Sequence, residues 1–234
     1  MIVSFEQMLE KAKQGEPMVL AGAAAQDVDT IKAMAAAEEA GMIRPVLVGD
    51  IPTIERVMKE EGVTFRNAEL VQADDMVEAC AKAVELVRLG KADFLMKGLV
   101  DTNIFLKAIL NKETGLPVHG LLSHVMTFDT LGAYHKLMLT SDGGMVLYPT
   151  LEQKIGLIKN CLPVAKALEI ENPKVAVLCA KEKVNPKMPA TVAEEAGRSR
   201  RVWPQCAGGR PHRHGSGCFR PLCRGQGLQV RGCR

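Results

Sequence analysis

The apolar positions of this chain change their period repeatedly over the first 110 residues. Phe5, Met8, Leu9 and Ala12 recur at helical spacing and predict a short helix that stops near Gly15, with Pro17 just beyond. The run MVLAG at 18–22 is apolar without alternation and predicts a strand. Asp27 or Asp29 opens an Ala-rich helix through Ala40 that stops at Gly41, and PVLVG from Pro45 predicts a second strand. A helix over 51–61 turns Ile54, Val57 and Met58 inward, a short strand follows at 69–72, and a helix with a clear apolar face spans 74–89. Strands that keep alternating with helices predict an α/β fold with a parallel sheet covered on both sides.

The next unit, GKADFLMKGLVDTNIFLKAIL over 90–110, carries the most chemistry. A short apolar run at 92–96, bounded by Gly90 and Gly98, suits a buried strand of a parallel sheet. Asp101, Thr102 or Asn103 then caps a helix whose apolar face is Ile104, Phe105, Ala108 and Ile109. Lys97 and Gly98 fall where the strand ends and the helix begins, beside N–H groups that a helix start leaves unpaired, which is a natural anion site. The plainer reading of Lys97 is a solvated loop lysine.

After this the texture changes. GLLSHVMTF at 120–128 and YHKLMLT from Tyr134 flank the turn-prone DTLGA and predict an antiparallel pair. Leu151, Ile155, Ile158 and Leu162 share one face of a helix over 151–166, with Pro149 just before its start. KVAVLC at 174–179 predicts a further buried strand. A boundary between two lobes is expected near Phe128, giving a first α/β lobe over 1–127, an incomplete second lobe over 128–196 and a tail over 197–234.

Composition narrows the class. With 234 residues, 47% hydrophobic and 24% charged, the chain suits one large domain or two small ones. Aromatics, at 4%, are too sparse for a base-stacking surface. No apolar run is long enough to span a bilayer and the N-terminus lacks a secretory apolar segment, so a cytoplasmic protein without a membrane partner is expected. The net charge of +3 misleads as an average, because all 27 acidic residues lie before Gly197 while nine Arg follow it. The body is acidic overall, and no nucleic-acid partner is expected for it. Cys80, Cys161 and Cys179 read as buried small hydrophobes in a reducing compartment.

The segments KADFLMKGLVDTNIFLKAIL, LLSHVMTF, YHKLMLTSDGGMVLYPTLEQKIGLIKN and KVAVLCAKEKVNPKMPAT, in that order, resemble the phosphate acetyl/butyryltransferase family, most of all its phosphate butyryltransferase branch. The likeness runs from Met1 to about Val192, and DGG followed by PTLEQKIG is its most distinctive block. The resemblance implies an acyltransferase that moves a short-chain acyl group, butyryl in preference to acetyl, between coenzyme A and inorganic phosphate. It implies no metal and no redox cofactor, and subunits that form a homo-oligomer. The implied fold is two-lobed, similar to the isopropylmalate dehydrogenase scaffold, with the active site between the lobes.

Phosphate attack on a thioester needs cations and N–H donors for the phosphate, donors for the developing oxyanion, and help for the departing thiolate. Lys97, Gly98 and Thr102 are the expected phosphate-binding group. By the resemblance, Ser123, His124 and Thr127 face the cleft, and Asp142, Gly143 and Gly144 form a turn at the edge of the second lobe. Ser123, His124 and Asp142 are the catalytic candidates; Thr127, Gly143 and Gly144 join the substrate-binding set. Related acetyltransferases often carry a Cys after that Asp, so Gly143 removes any thiol role there. The competing readings are structural: Ser123 and Thr127 as hydrogen-bonded turn or strand residues, His124 and His135 as a pair, 142–144 as a plain turn. A dehydrogenase on the same scaffold is disfavoured, since no GxGxxG follows a predicted strand.

From Gly197 the chain is rich in Arg, Gly, Pro and Cys and has no apolar periodicity. Cys206, His212, His214, Cys218 and Cys223 are zinc-ligand types, but no CxxC pair occurs. An Arg-rich nucleic-acid arm rests on charge alone. A reading-frame change near 194–197 in a GC-rich gene accounts best for the mixture and predicts a disordered end. The family's closing region, with a Ser-Arg-containing catalytic segment and a following Asp, has no match there. The alternative to an active enzyme is therefore a truncated, inactive fragment that at most binds phosphate or coenzyme A.

Overall fold

The computed structural model describes residues 1–116, 120–131, 134–178, 184–189 and 191–192. The zinc, nucleic-acid-arm and frame-change readings, and Cys179, lie outside the described residues. The chain divides into two compact units, Leu9–His119 and the pair Met1–Met8 with Gly120–Arg234, each taken over its described residues. Helix α1, Phe5–Lys13, runs across the division in sequence.

The unit from Leu9 is built by strand–helix alternation: β1 (Met18–Ala23), α2 (Val28–Glu39), β2 (Ile43–Gly49), α3 (Ile51–Glu61), β3 (Glu69–Gln72), α4 (Met76–Arg88), β4 (Phe94–Lys97) and α5 (Thr102–Ile109). The four strands form a parallel sheet in the order β3-β2-β1-β4. Side chains alternate across β1 and β2, so each face collects its own core. Leu20 and Leu47 pack with Ile31 and Met34 of α2 and Ile54 and Val57 of α3. Ala21, Ala23, Val46 and Val48 pack with Cys80 and Ala83 of α4 and Ile104, Phe105 and Ala108 of α5. Two covered faces explain why the strands read as unbroken apolar runs. Each fully buried aliphatic side chain such as Leu47 contributes about 1.5–3 kcal/mol to this packing.

All four strand-to-helix crossings end in an aspartate. Asp27, Asp50, Asp75 and Asp101 accept hydrogen bonds from backbone N–H groups in the first turns of α2, α3, α4 and α5 at 2.7–3.0 Å. The caps left open by the sequence are thus Asp27 for α2 and Asp101 for α5.

The second unit holds β5 (Met126–Phe128), β6 (Met138–Thr140) and α6 (Leu151–Ala167). The two strands are antiparallel, with Thr127 opposite Leu139. Thr150 and Gln153 form a reciprocal capping box at the start of α6. Ile2, Leu137 and Leu168 form a small core, and Ile2 N donates to Leu168 O at 3.0 Å.

Several expectations change. Among the described residues β4 pairs only with β1 and is an edge strand, so Phe94 is 39% exposed where a buried strand was expected. Residues 174–178 form no strand, because no described strand lies beside them to pair with, and Leu178 is 77% exposed. The buried side of α6 is Leu151, Lys154, Leu157 and Ala165, rotated from the expected face, and Leu162 is 39% exposed. The two compact units meet in sequence at Gly120, and the hydrogen-bonded strands β5 and β6 lie in the same unit.

Gly98 follows β4 directly, and a Cβ there would run into the backbone carbonyl of Ala24 and lie 2.9 Å from Ala23 O. Backbone cannot rotate away as a side-chain tip does. Gly98→Ala is therefore expected to lower the stability of the full chain by about 1–3 kcal/mol in urea unfolding; an unchanged midpoint would contradict the close approach.

Candidate active site

Within the Leu9–His119 unit, β1, β2 and β3 extend the sheet in one direction, and the chain then returns to place β4 on the other side of β1. The crevice between the carboxyl ends of β1 and β4 is the topological switch point, where open α/β sheets bind ligands. Lys97 and Gly98 lie at this edge, as the sequence predicts. The donors around them are already engaged. Gly98 N donates to Ala23 O, Val100 N to Gly98 O, Leu99 N to Asp27 Oδ2, and Asn103 N to Asp101 Oδ1. Lys97 Nζ turns back to Gly98 O at 3.2 Å and Val100 O at 2.9 Å. At the start of α5 the carboxylates of Asp27 and Asp101 thus already hold the Leu99 and Asn103 N–H groups. What this edge still offers an anion is the Lys97 ammonium, which has a third hydrogen, and the exposed Thr102. Beneath it Cys80 is buried, and burial pushes its thiol up against the opposing charge of Lys97.

The second unit assembles the other candidates. Beyond β6, the Asp142 carboxylate gathers four backbone donors: Oδ1 accepts from Gly144 N at 2.7 Å, Met145 N at 2.5 Å and Val146 N at 3.2 Å, and Oδ2 accepts from His124 N at 2.7 Å. Burial raises its pKa, but the four hydrogen bonds outweigh it and hold the carboxyl at about 2, below the usual 3.8. A carboxylate so committed is a poor proton acceptor near neutral pH, and its work is to tie residue 124 to the 142–146 turn.

Gly143 matters for space. A Cβ there would sit 2.8 Å from His124 Nδ1, so the imidazole rests on the Gly143 backbone, whereas a Cβ on Gly144 would meet nothing. His135 does not pair with His124; its ring packs on Tyr134 at 4.8 Å. Ser123 Oγ accepts a hydrogen bond from Asn160 Nδ2 at 2.8 Å, and the same nitrogen donates to Leu121 O at 2.7 Å. Thr127 lies mid-strand in β5.

Ser123, His124, Asp142 and Gly143 are thus brought together, with Gly144 and Thr127 on the adjoining turn and strand. Lys97, Gly98 and Thr102 belong to the other unit. Sequence reasoning missed Asn160. The available signal was an Asn near the middle of an otherwise well-formed helix, a position that favours other residues. Among the described residues, no group of three or more His, Cys, Asp or Glu side chains is placed to hold a metal, and no helix is long and apolar enough to cross a membrane.

Residues 58–196 match the family described as phosphate acetyl/butaryl transferase. The phosphate butyryltransferase of Clostridium acetobutylicum is 42% identical over 192 residues, which cover 82% of this chain and 64% of that protein. The phosphate acetyltransferase of Thermotoga maritima is 37% identical over 187 residues, 80% of this chain and 63% of its own length. Among solved structures, a branched-chain phosphotransacylase from Enterococcus faecalis V583 superposes with a TM-score of 0.64 at 25% identity, over 81% of this chain and 66% of that one. A phosphotransacetylase from Streptococcus pyogenes shares the fold with a TM-score of 0.71 at 17% identity, over 87% and 71% of the two chains. The chain spans less than two thirds of the length of these curated relatives.

Two outcomes follow from the turn. Because the Asp142 pKa is depressed, its stabilisation is present above about pH 4 and is lost as pH falls towards about 2. Asp142→Asn should lower stability at pH 7 and flatten the acid limb of the denaturation midpoint; an acid limb unchanged from the native chain would refute this. Gly143→Ala should displace the His124 ring, seen as a shift of its imidazole NMR signals, with a stability change of less than about 1 kcal/mol because a side-chain ring can yield.

Proposed function

Because the chain belongs to the phosphate acetyl/butaryl transferase family, we propose that it transfers a short-chain acyl group between coenzyme A and inorganic phosphate, with butyryl preferred over acetyl. The observation that carries the reading is the family match over 58–196, which contains every candidate residue from Lys97 to Gly144. The butyryl preference is supported by the greater identity to a butyryltransferase, 42%, than to an acetyltransferase, 37%.

In the forward direction a phosphate oxygen adds to the thioester carbonyl, the carbonyl electron pair moves to oxygen, and its return expels the thiolate. Atoms and electrons balance without a metal or redox partner. In this reading Lys97, beside Gly98 and Thr102, supplies positive charge to the phosphate. Ser123 and His124 serve the reacting acyl group. Asp142 holds the His124 backbone, and Gly143 leaves room for its ring. The protein is expected to act in the cytoplasm as a homo-oligomer.

The test is acyl-phosphate-dependent acylation of coenzyme A by the purified chain, with butyryl and acetyl phosphate side by side. Turnover with a higher kcat/KM for butyryl phosphate is expected. Absence of turnover with retained binding of coenzyme A or phosphate would replace this reading with that of an inactive, ligand-binding chain.

A further inference from the structure

Asn160 lies in the second half of α6, where its short polar side chain does nothing for the helix itself. It reaches off the helix to Leu121 O and Ser123 Oγ, partners 39 and 37 residues away. A backbone carbonyl only accepts, so the amide nitrogen must face Leu121, and with it Ser123. Both amide hydrogens are then used, and one of them occupies a lone pair of the Ser123 hydroxyl. The hydroxyl's own proton takes no part in this bond. The next residue is fixed independently, since His124 N is held by Asp142 Oδ2. The Ser123 backbone is therefore pinned on both sides, and its hydroxyl is left with a proton to give.

We propose that Asn160 is a positioning residue acting through Ser123: it fastens 121–123 to α6 and orients the Ser123 hydroxyl as a donor to the thioester carbonyl oxygen. This rests on the acyl-transfer reading above. As phosphate adds, that oxygen takes the carbonyl electron pair, and a donor already aimed at it strengthens its hydrogen bond as the charge grows. The bond weakens again when the pair returns and the carbon–sulfur bond breaks. Without Asn160 the hydroxyl rotates freely, so kcat falls while ground-state binding, and with it KM, changes little.

The experiment compares five forms of the full chain: native, Ser123→Ala, Asn160→Ala, the double variant, and Asn160→Asp. Alanine is the better helix former, so Asn160→Ala removes the hydrogen bonds without weakening α6 by propensity. Asn160→Ala should lower kcat about tenfold, with KM for butyryl phosphate within about twofold of native. Asn160→Asp should be equally slow, because a carboxylate cannot donate to Leu121 O. The double variant should be no slower than Ser123→Ala, since Asn160 then has nothing to act through. Native kcat in Asn160→Ala, or losses that multiply in the double variant, would overturn the proposal. If the native chain shows no turnover, the acyl-transfer reading fails by itself, and urea unfolding of the same proteins decides the contact. Non-additive stability losses then support the Asn160 hold on Ser123, and additive losses overturn it.

Discussion

Backbone N–H groups at helix starts and in tight turns must find acceptors, and this chain supplies them from its own aspartates. Asp27, Asp50, Asp75 and Asp101 close the four helix starts at the carboxyl edge of the parallel sheet. Asp27 does so with one oxygen and holds Leu99 N with the other, tying the loop after β4 to the start of α2. Asp93 accepts from Val19 N at 2.7 Å, where β1 begins. Asp142 extends the device to four donors in the other unit. The cost is electrostatic. A helix start that faces its own carboxylate has little positive potential left for a ligand, so side-chain charge, above all that of Lys97, has to serve where backbone dipoles would otherwise have done.

Periodicity made most of the first unit legible. α1, α3 and β3 occupy the predicted spans, and both open capping choices resolve to aspartates. What the pattern does not carry is neighbourhood. Phe94 to Met96 reads as a buried strand, yet burial depends on a strand beyond β4, and the described sheet ends there. Residues 174–178 have strand composition without a partner to pair with, and a strand is defined by its pairing. In α6 the apolar count favours Ile155 and Ile158, but Lys154 is only 9% exposed, because the long aliphatic stem of a lysine can lie along apolar surface.

The site divides in the same way. That Lys97 and Gly98 end a strand is visible in local sequence; that their donors are already taken is not, because Asp27 lies 72 residues from Leu99. The grouping of Ser123, His124 and Asp142 came from resemblance to known proteins, and the geometry adds the reason for Gly143, whose missing side chain is where the His124 ring rests. Asn160 joins residues nearly forty positions apart and has no local signature beyond its awkward place in a helix.

The order β3-β2-β1-β4 also bears on how the protein is made. β1 gains its first neighbour from β2 soon after it is synthesised, but its second, β4, comes some seventy residues later, as the Val19–Asp93 bond shows. During that interval the central strand of the finished sheet is an edge, with open hydrogen-bonding groups along a smooth run of Leu, Ala and Gly. A nascent chain paused before Phe94 thus leaves one edge of its most apolar strand unpaired, an opening for aggregation that lasts until β4 emerges.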